Sequence, residues 1–295
     1  KEFITNRKNL YDIAFISRPH NAAKYMDDIK SNNKAKIIYD AEAIYANREL
    51  LQAELVDGAK LSDKVKDRHR AKEFAITKSA DIICVVSDYE KSFFDKYKAP
   101  QTKILGFQHP VKFTEKSYDQ RKDILFVGAI VNESKYNPNY DSIMYFINNI
   151  WPKVFSNLKC NLLIVGHNKS PNLKQLNNNN NIRVVGSVKK LDTYYNNCRL
   201  FIGPTRFAAG IPHKVTNAAA HGLPSVVSPL LAKQLGWLNN KECLIGEDDN
   251  DFVDKICAMY TDKYIWLNIR ENMKTYIKNK FSTETFHTCL DEILL

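Results

Sequence analysis

RLFIGPTRFAAGIPHKVTNAAAHGLPSVVS, residues 199–228, changes its periodicity three times. RLFIG (199–203) is a short apolar run ending in glycine, as a strand buried on both faces would be. A loop carries Arg206, Ala209, Gly210 and Ile211. Pro212 then suits the first position of a helix, where its missing N–H would be unpaired anyway. HKVTNAAA continues that helix, Gly222 and Pro224 stop it, and SVVS is the next strand. A helix N-terminus offers unpaired N–H groups and partial positive charge. Arg206 before the turn and Lys214 in the first helical turn add two cations, a pattern that suits a diphosphate. An ordinary β-α turn with surface cations would read the same way, and spacing alone leaves both open.

The alternation extends outward. Earlier strands are expected at 11–17, 35–40, 81–87, 102–106, 123–128, 161–166 and 182–186, with later ones at 224–228 and 242–246. Amphipathic segments at 139–156, 189–197 and 250–261 lie between them. Such alternation predicts an α/β chain with parallel sheets. The pattern pauses over the polar, Pro110-containing stretch 106–123, which reads as a link between domains. The expected division is an N-terminal domain over 1–107, a second over 108–281, and a helix at 282–295 that packs back on the first. LNNNNN (176–181) is expected as an exposed loop. In the basic helix at 62–79, Lys64, Lys66, Arg68, Arg70 and Lys72 fall on alternate positions and spread around the axis.

The chain has 295 residues, 44% of them hydrophobic, enough for real cores. Its formal charge of +10 favours anionic partners or a solvated basic surface. No apolar run has the length of a membrane span, and no secretory segment opens the chain. The six cysteines lack C-x-x-C spacing and read as buried thiols in a reducing compartment. Histidines and carboxylates show no ligand spacing, so no metal is expected. Clustered aromatics and cations are missing, which argues against nucleic acid.

DILFVGAIVNESKYNPNYDSIMYFINNIWP, NLLIVG, the stretch from IRVVGSVKK to PSVVSP, and ECLIGEDDNDFVDKI together resemble the donor domain of retaining GT-B glycosyltransferases. The type is the large group 1 (family four), and the resemblance is strongest to O-antigen and rhamnan enzymes. AKIIYDAEAIYANRE and KSADIICVVSDYEKSFF resemble parts of the acceptor domain. The resemblance implies two Rossmann-like domains facing a cleft, the N-terminal one truncated. It implies transfer of a hexosyl or deoxyhexosyl group from a nucleoside-diphosphate sugar to a glycan or lipid-linked acceptor. The reaction would be retaining, metal-independent and without a cofactor.

By position, Arg206 and Lys214 match the family's diphosphate-gripping cations, with Gly210 and Ile211 in the same loop. Gly128 and Ala129 match the turn beside the phosphates, and Ser187 and Val188 the segment that recognises the base. Asn217 takes the place of the glutamate that bonds the ribose, and Asp40 is the candidate near the reaction centre, with Glu42 second. Asp40 as a plain helix cap is the alternative. Many members carry two glutamates where this chain has Ala209 and Asn217. That departure keeps open a non-catalytic GT-B module of a larger polypeptide or complex. The resemblance also implies surface-polysaccharide synthesis at the inner, cytoplasmic face of a membrane, with peripheral association. Only four strands precede the link, so an upstream domain or a neighbouring subunit is expected to complete the first sheet.

Overall fold

The computed structural model describes residues 2–32, 34–97 and 99–295. They form two compact units. Lys1–Gln108, Ala209–Ile211 and Thr283–Leu295 make the first, and His109–Ala208 with Pro212–Ser282 the second. The tripeptide 209–211, expected in the second domain, is thus counted with the first.

The first unit runs α1 (Glu2–Thr5), β1 (Ile13–Ser17), α2 (Pro19–Asn32), β2 (Lys36–Asp40), α3 (Tyr45–Leu55), α4 (Asp63–Ala75), β3 (Ile82–Val85), α5 (Asp88–Lys96) and β4 (Gln101–Ile104). Its sheet is parallel, in the order β1-β2-β3-β4. Alternate residues of each strand face opposite layers. Ile16, Ile37, Tyr39, Ile83 and Val85 pack on Met26, Ala46, Phe74 and Phe94 from the four longer helices. Ile38, Ile82 and Cys84 face the other way and meet Ile293 of the C-terminal helix.

The second unit runs β5 (Ile124–Val127), α6 (Pro138–Asn149), α7 (Trp151–Leu158), β6 (Leu162–Val165), α8 (Pro171–Gln175), β7 (Ile182–Gly186), α9 (Asp192–Asn197), β8 (Leu200–Gly203), α10 (His213–Ala220), β9 (Ser225–Val227), α11 (Pro229–Leu235), β10 (Leu244–Ile245), α12 (Asp249–Thr261) and α13 (Lys263–Lys280). The C-terminal helix is α14 (Thr283–Leu294). The sheet order is β10-β9-β8-β5-β6-β7. Successive strands run outward from β5 in one direction and from β8 in the other. The boundary between β5 and β8 is therefore a topological switch point, where ligands of open α/β sheets bind outside the carboxyl ends.

Local chemistry sets the helix starts. Asn137 precedes Pro138 and accepts from the N–H groups of Asn139 and Tyr140. Ser228 before Pro229, Asp248 and Asp262 cap α11, α12 and α13 in the same way. The single helix expected over 139–156 is two, because Pro152 lies in the first turn of α7 and has no N–H for a continuous ladder. Pro212 is the cap rather than the first helical residue, so α10 begins at His213. The asparagine run is exposed, but it includes a 3-10 turn at Asn179–Asn181 whose Asn180 carbonyl accepts from Trp151 Nε1 at 3.0 Å. All six cysteines are free; Cys84, Cys160, Cys198 and Cys243 are buried, and burial pushes each of these thiols up to about 12. No helix of the described residues is long and apolar enough to cross a membrane.

Candidate active site

Four loops of the second unit leave the carboxyl ends of β5, β6, β7 and β8. Gly128 follows β5 with its N–H bonded to Val165 at 3.0 Å. A Cβ on Gly128 would sit 3.0 Å from Cγ of Asn139, so glycine lets that amide approach. Gly166, after β6, has φ +134°, and a Cβ there would lie 2.3 Å from the Gly128 carbonyl oxygen. These two close approaches shape a small cavity of about 200 Å³. Gly128, Ala129, Ser187 and Val188 line it together, as do Gly166 and His167, which sequence reasoning missed. The glycine ending the β6 run was the available signal for those two.

Lys214 lies in the first turn of α10. Its Nζ donates to Asn139 Oδ1 at 2.9 Å and stands 5.0 Å from the centre of the Phe126 ring. Asn139 Nδ2 in turn donates to the Ala129 carbonyl at 3.0 Å, which ties the β5 loop to the lysine. No carboxylate pairs with Lys214 among the described residues. Burial without a counter-charge pushes the ammonium down to about 8. A desolvated cation lacking an anion is matched to an anionic ligand.

Arg206 is in a different state. Its Nε donates to Asp141 Oδ2 at 2.9 Å, and its Nη2 bonds the other carboxylate oxygen. The guanidinium lies 4.5 Å from the centre of the Tyr145 ring, and the Tyr145 hydroxyl donates to Asp249 at 2.6 Å. The hydrogen bond to Asp141 holds the arginine above its ordinary range. Asp141 and Tyr145 were not singled out in the sequence, since an acid and an aromatic in an amphipathic helix look like a solvated edge and a core face.

Other expected residues are more committed than their positions suggested. Asn217 is half-buried and its side chain bonds His109, whose Nε2 also meets Thr216 Oγ1 at 2.9 Å. Burial pushes His109 down to about 4. Ile211 is buried. In the first unit, Gly210 has φ +74°, and its N–H is not open to a phosphate: it donates to Glu90 Oε1 at 3.0 Å. The same oxygen accepts from Ile44 N at 3.1 Å. Burial raises this carboxyl to about 7. Glu90 was missed because an acid in the first turn of a helix is also an ordinary dipole partner.

Asp40 ends β2, half-buried, and burial raises its carboxyl. It accepts from Ser17 Oγ at 3.0 Å and from the N–H of Glu42 at 3.2 Å. It is not a helix cap: α3 starts at Tyr45, after Ile44. Arg18 and Glu42, at the carboxyl ends of β1 and β2, both take positive φ, +76° and +50°, and their side chains pair at 2.8 Å. Left-handed backbone at two non-glycine positions stores strain where an α/β sheet exposes its ligand edge. The expected catalytic residues thus lie in separate units, Asp40 in the first and Arg206 and Lys214 in the second.

Two Rossmann-like parallel sheets of four and six strands place the chain in the GT-B fold class. Residues 121–262 match the model of a family described as Glycosyl transferases group 1. No curated protein matches the sequence. Among solved structures, sucrose-phosphate synthase from Thermosynechococcus elongatus superposes with a TM-score of 0.72 at 14% identity, over 96% of this chain and 73% of that one. HepE of Anabaena in complex with UDP gives 0.74 at 10% identity, over 99% and 80%. A mutant TarM of S. aureus, in complex with Fondaparinux, alpha-GlcNAc-glycerol and UDP, gives 0.72 at 10%, over 99% of this chain but only 57% of that one.

Proposed function

We propose that the protein is a retaining glycosyltransferase that moves a sugar from a nucleoside diphosphate to a hydroxyl of a glycan or lipid-linked acceptor. The observation that carries the reading is Lys214: a half-buried lysine whose ammonium meets no carboxylate among the described residues and is tied through Asn139 to the loop at the switch point. The donor's diphosphate supplies the missing charge, with Arg206 beside it in the sequence. The base occupies the cavity edged by Ser187 and Val188. Negative charge grows on the leaving diphosphate as the glycosidic bond breaks, and a preorganised cation stabilises that state more than the ground state. Asp40 lies at the acceptor side, where its raised carboxyl orients or accepts a proton from the incoming hydroxyl. Arg206 and Lys214 neutralise the diphosphate, so the reaction runs without a divalent metal.

The charge distribution agrees with this reading. The second unit holds 23 of the 43 cationic and 14 of the 33 acidic side chains, a net of +9, and leaves +1 for the first. Surface-polysaccharide synthesis on the cytoplasmic side of a membrane is the setting we assign, in line with the resemblance to O-antigen enzymes and the unpaired cysteines. The test is incubation with a panel of nucleoside-diphosphate sugars and detection of released nucleoside diphosphate. Slow hydrolysis of one donor, lost in Lys214→Ala, is expected. Binding of a nucleoside diphosphate without any turnover would instead support the non-catalytic module, which Ala209 in place of a glutamate favours.

A further inference from the structure

We propose that Asp141 is a positioning residue for the donor site, holding Arg206 so that one edge of its guanidinium stays open to the diphosphate. The proposal rests on the donor-binding reading above. A guanidinium has two edges that can bind an oxyanion through parallel N–H bonds, one made by Nε and Nη2 and one by Nη1 and Nη2. Asp141 takes the first, with both of its oxygens. Nη1 has no partner among the described residues, and the Arg206 side chain remains 29% exposed.

Asp141 is itself fixed. It lies in the first turn of α6, where the helix dipole favours a carboxylate, and its side chain is only 7% exposed. The arginine is held on a second side by the Tyr145 ring, and that ring is pinned through its hydroxyl to Asp249 at the start of α12. A free arginine loses rotamer freedom when a ligand fixes it, and this arrangement fixes it in advance.

Charge alone gives the opposite expectation. Asp141 cancels the arginine's charge, so if it acted only through the field, removing its charge would strengthen anion binding. Positioning and charge therefore predict opposite signs for one substitution. The measurement is the dissociation constant of UDP, GDP, ADP or dTDP, taking whichever binds the wild-type chain, by calorimetry at fixed salt. Asp141→Asn is expected to weaken binding about tenfold despite adding one positive charge. In an Arg206→Ala background the same substitution should change it less than twofold, because the effect passes through the arginine. Arg206→Lys, at a half-exposed position, keeps the charge but not the fork and should lose about as much as Asp141→Asn. Unchanged or tighter binding in Asp141→Asn overturns the proposal, as does wild-type affinity in Arg206→Lys or an equal loss in the Arg206→Ala background. A wild-type chain that binds none of the four removes the donor-site reading, and the proposal with it.

Discussion

The two sheets are built from the same parts and differ in strand order. In the first, β1-β2-β3-β4 runs in one direction, and the core clusters put the helices between its strands on one face and α14 on the other. In the second, the order reverses between β5 and β8. A reversal sends successive connections to opposite faces and opens a crevice at the carboxyl ends. The loop after β5 carries Gly128, the first turns of α6 and α10 carry Asn139 and Lys214, and that unit holds nearly all of the excess charge. The anion binding we propose thus falls to one unit. The other is left with a strained carboxyl edge around Asp40 and a buried acid, Glu90, engaged with its own backbone.

The largest effect tests that division through stability. Glu90 has a folded value of about 7 against an ordinary 4.5. Its fold favours the protonated form, so the group's stabilising contribution is full below pH 4.5 and is lost as pH rises toward 7. The linkage amounts to about 3 kcal/mol. Urea denaturation across this range should show the loss, and Glu90→Gln should abolish that part of the pH dependence. An identical profile in the variant would show that Glu90 ionises freely.

Lys214→Ala comes next. Losing a charge-assisted bond costs about 2 kcal/mol, or about thirtyfold in nucleoside-diphosphate affinity. Asp40→Asn should leave that affinity unchanged while lowering transfer. Equal losses of affinity in the two variants would break the contrast between the units.

A smaller effect sharpens the role of Lys214. With its value near 8 in the free protein, the ammonium deprotonates above that pH. Affinity for a nucleoside diphosphate should then fall by up to about tenfold per pH unit above 8. Lys214→Arg, which stays charged, should be flat over the same range. The smallest effect expected is none at all: transfer should survive EDTA, and loss of activity restored by magnesium would show that the cations of the second unit are not sufficient.

The alternation of buried apolar runs with amphipathic segments, read from residue types alone, placed strands that match β1 to β10 within a few residues. Short continuous Ile, Leu and Val runs suit strands buried on both faces, as β3, β5 and β8 are, although β1 leaves Ile13 and Phe15 exposed. The position of Lys214 at a helix start after a glycine turn was equally local, fixed by Gly210, Pro212 and the alanine run. What each charged group touches was not local. Arg206 and Lys214 are eight residues apart and look equivalent in the sequence, yet one edge of the first is paired with Asp141, 65 positions away, while the second meets an amide and a ring and no carboxylate among the described residues. Gly210 looked like an open phosphate turn, but a carboxylate 120 positions away takes its N–H. Spacing determines which side chains share an element. Which of them are paired with a carboxylate and which are not depends on how distant elements pack, and only the tertiary structure decides it.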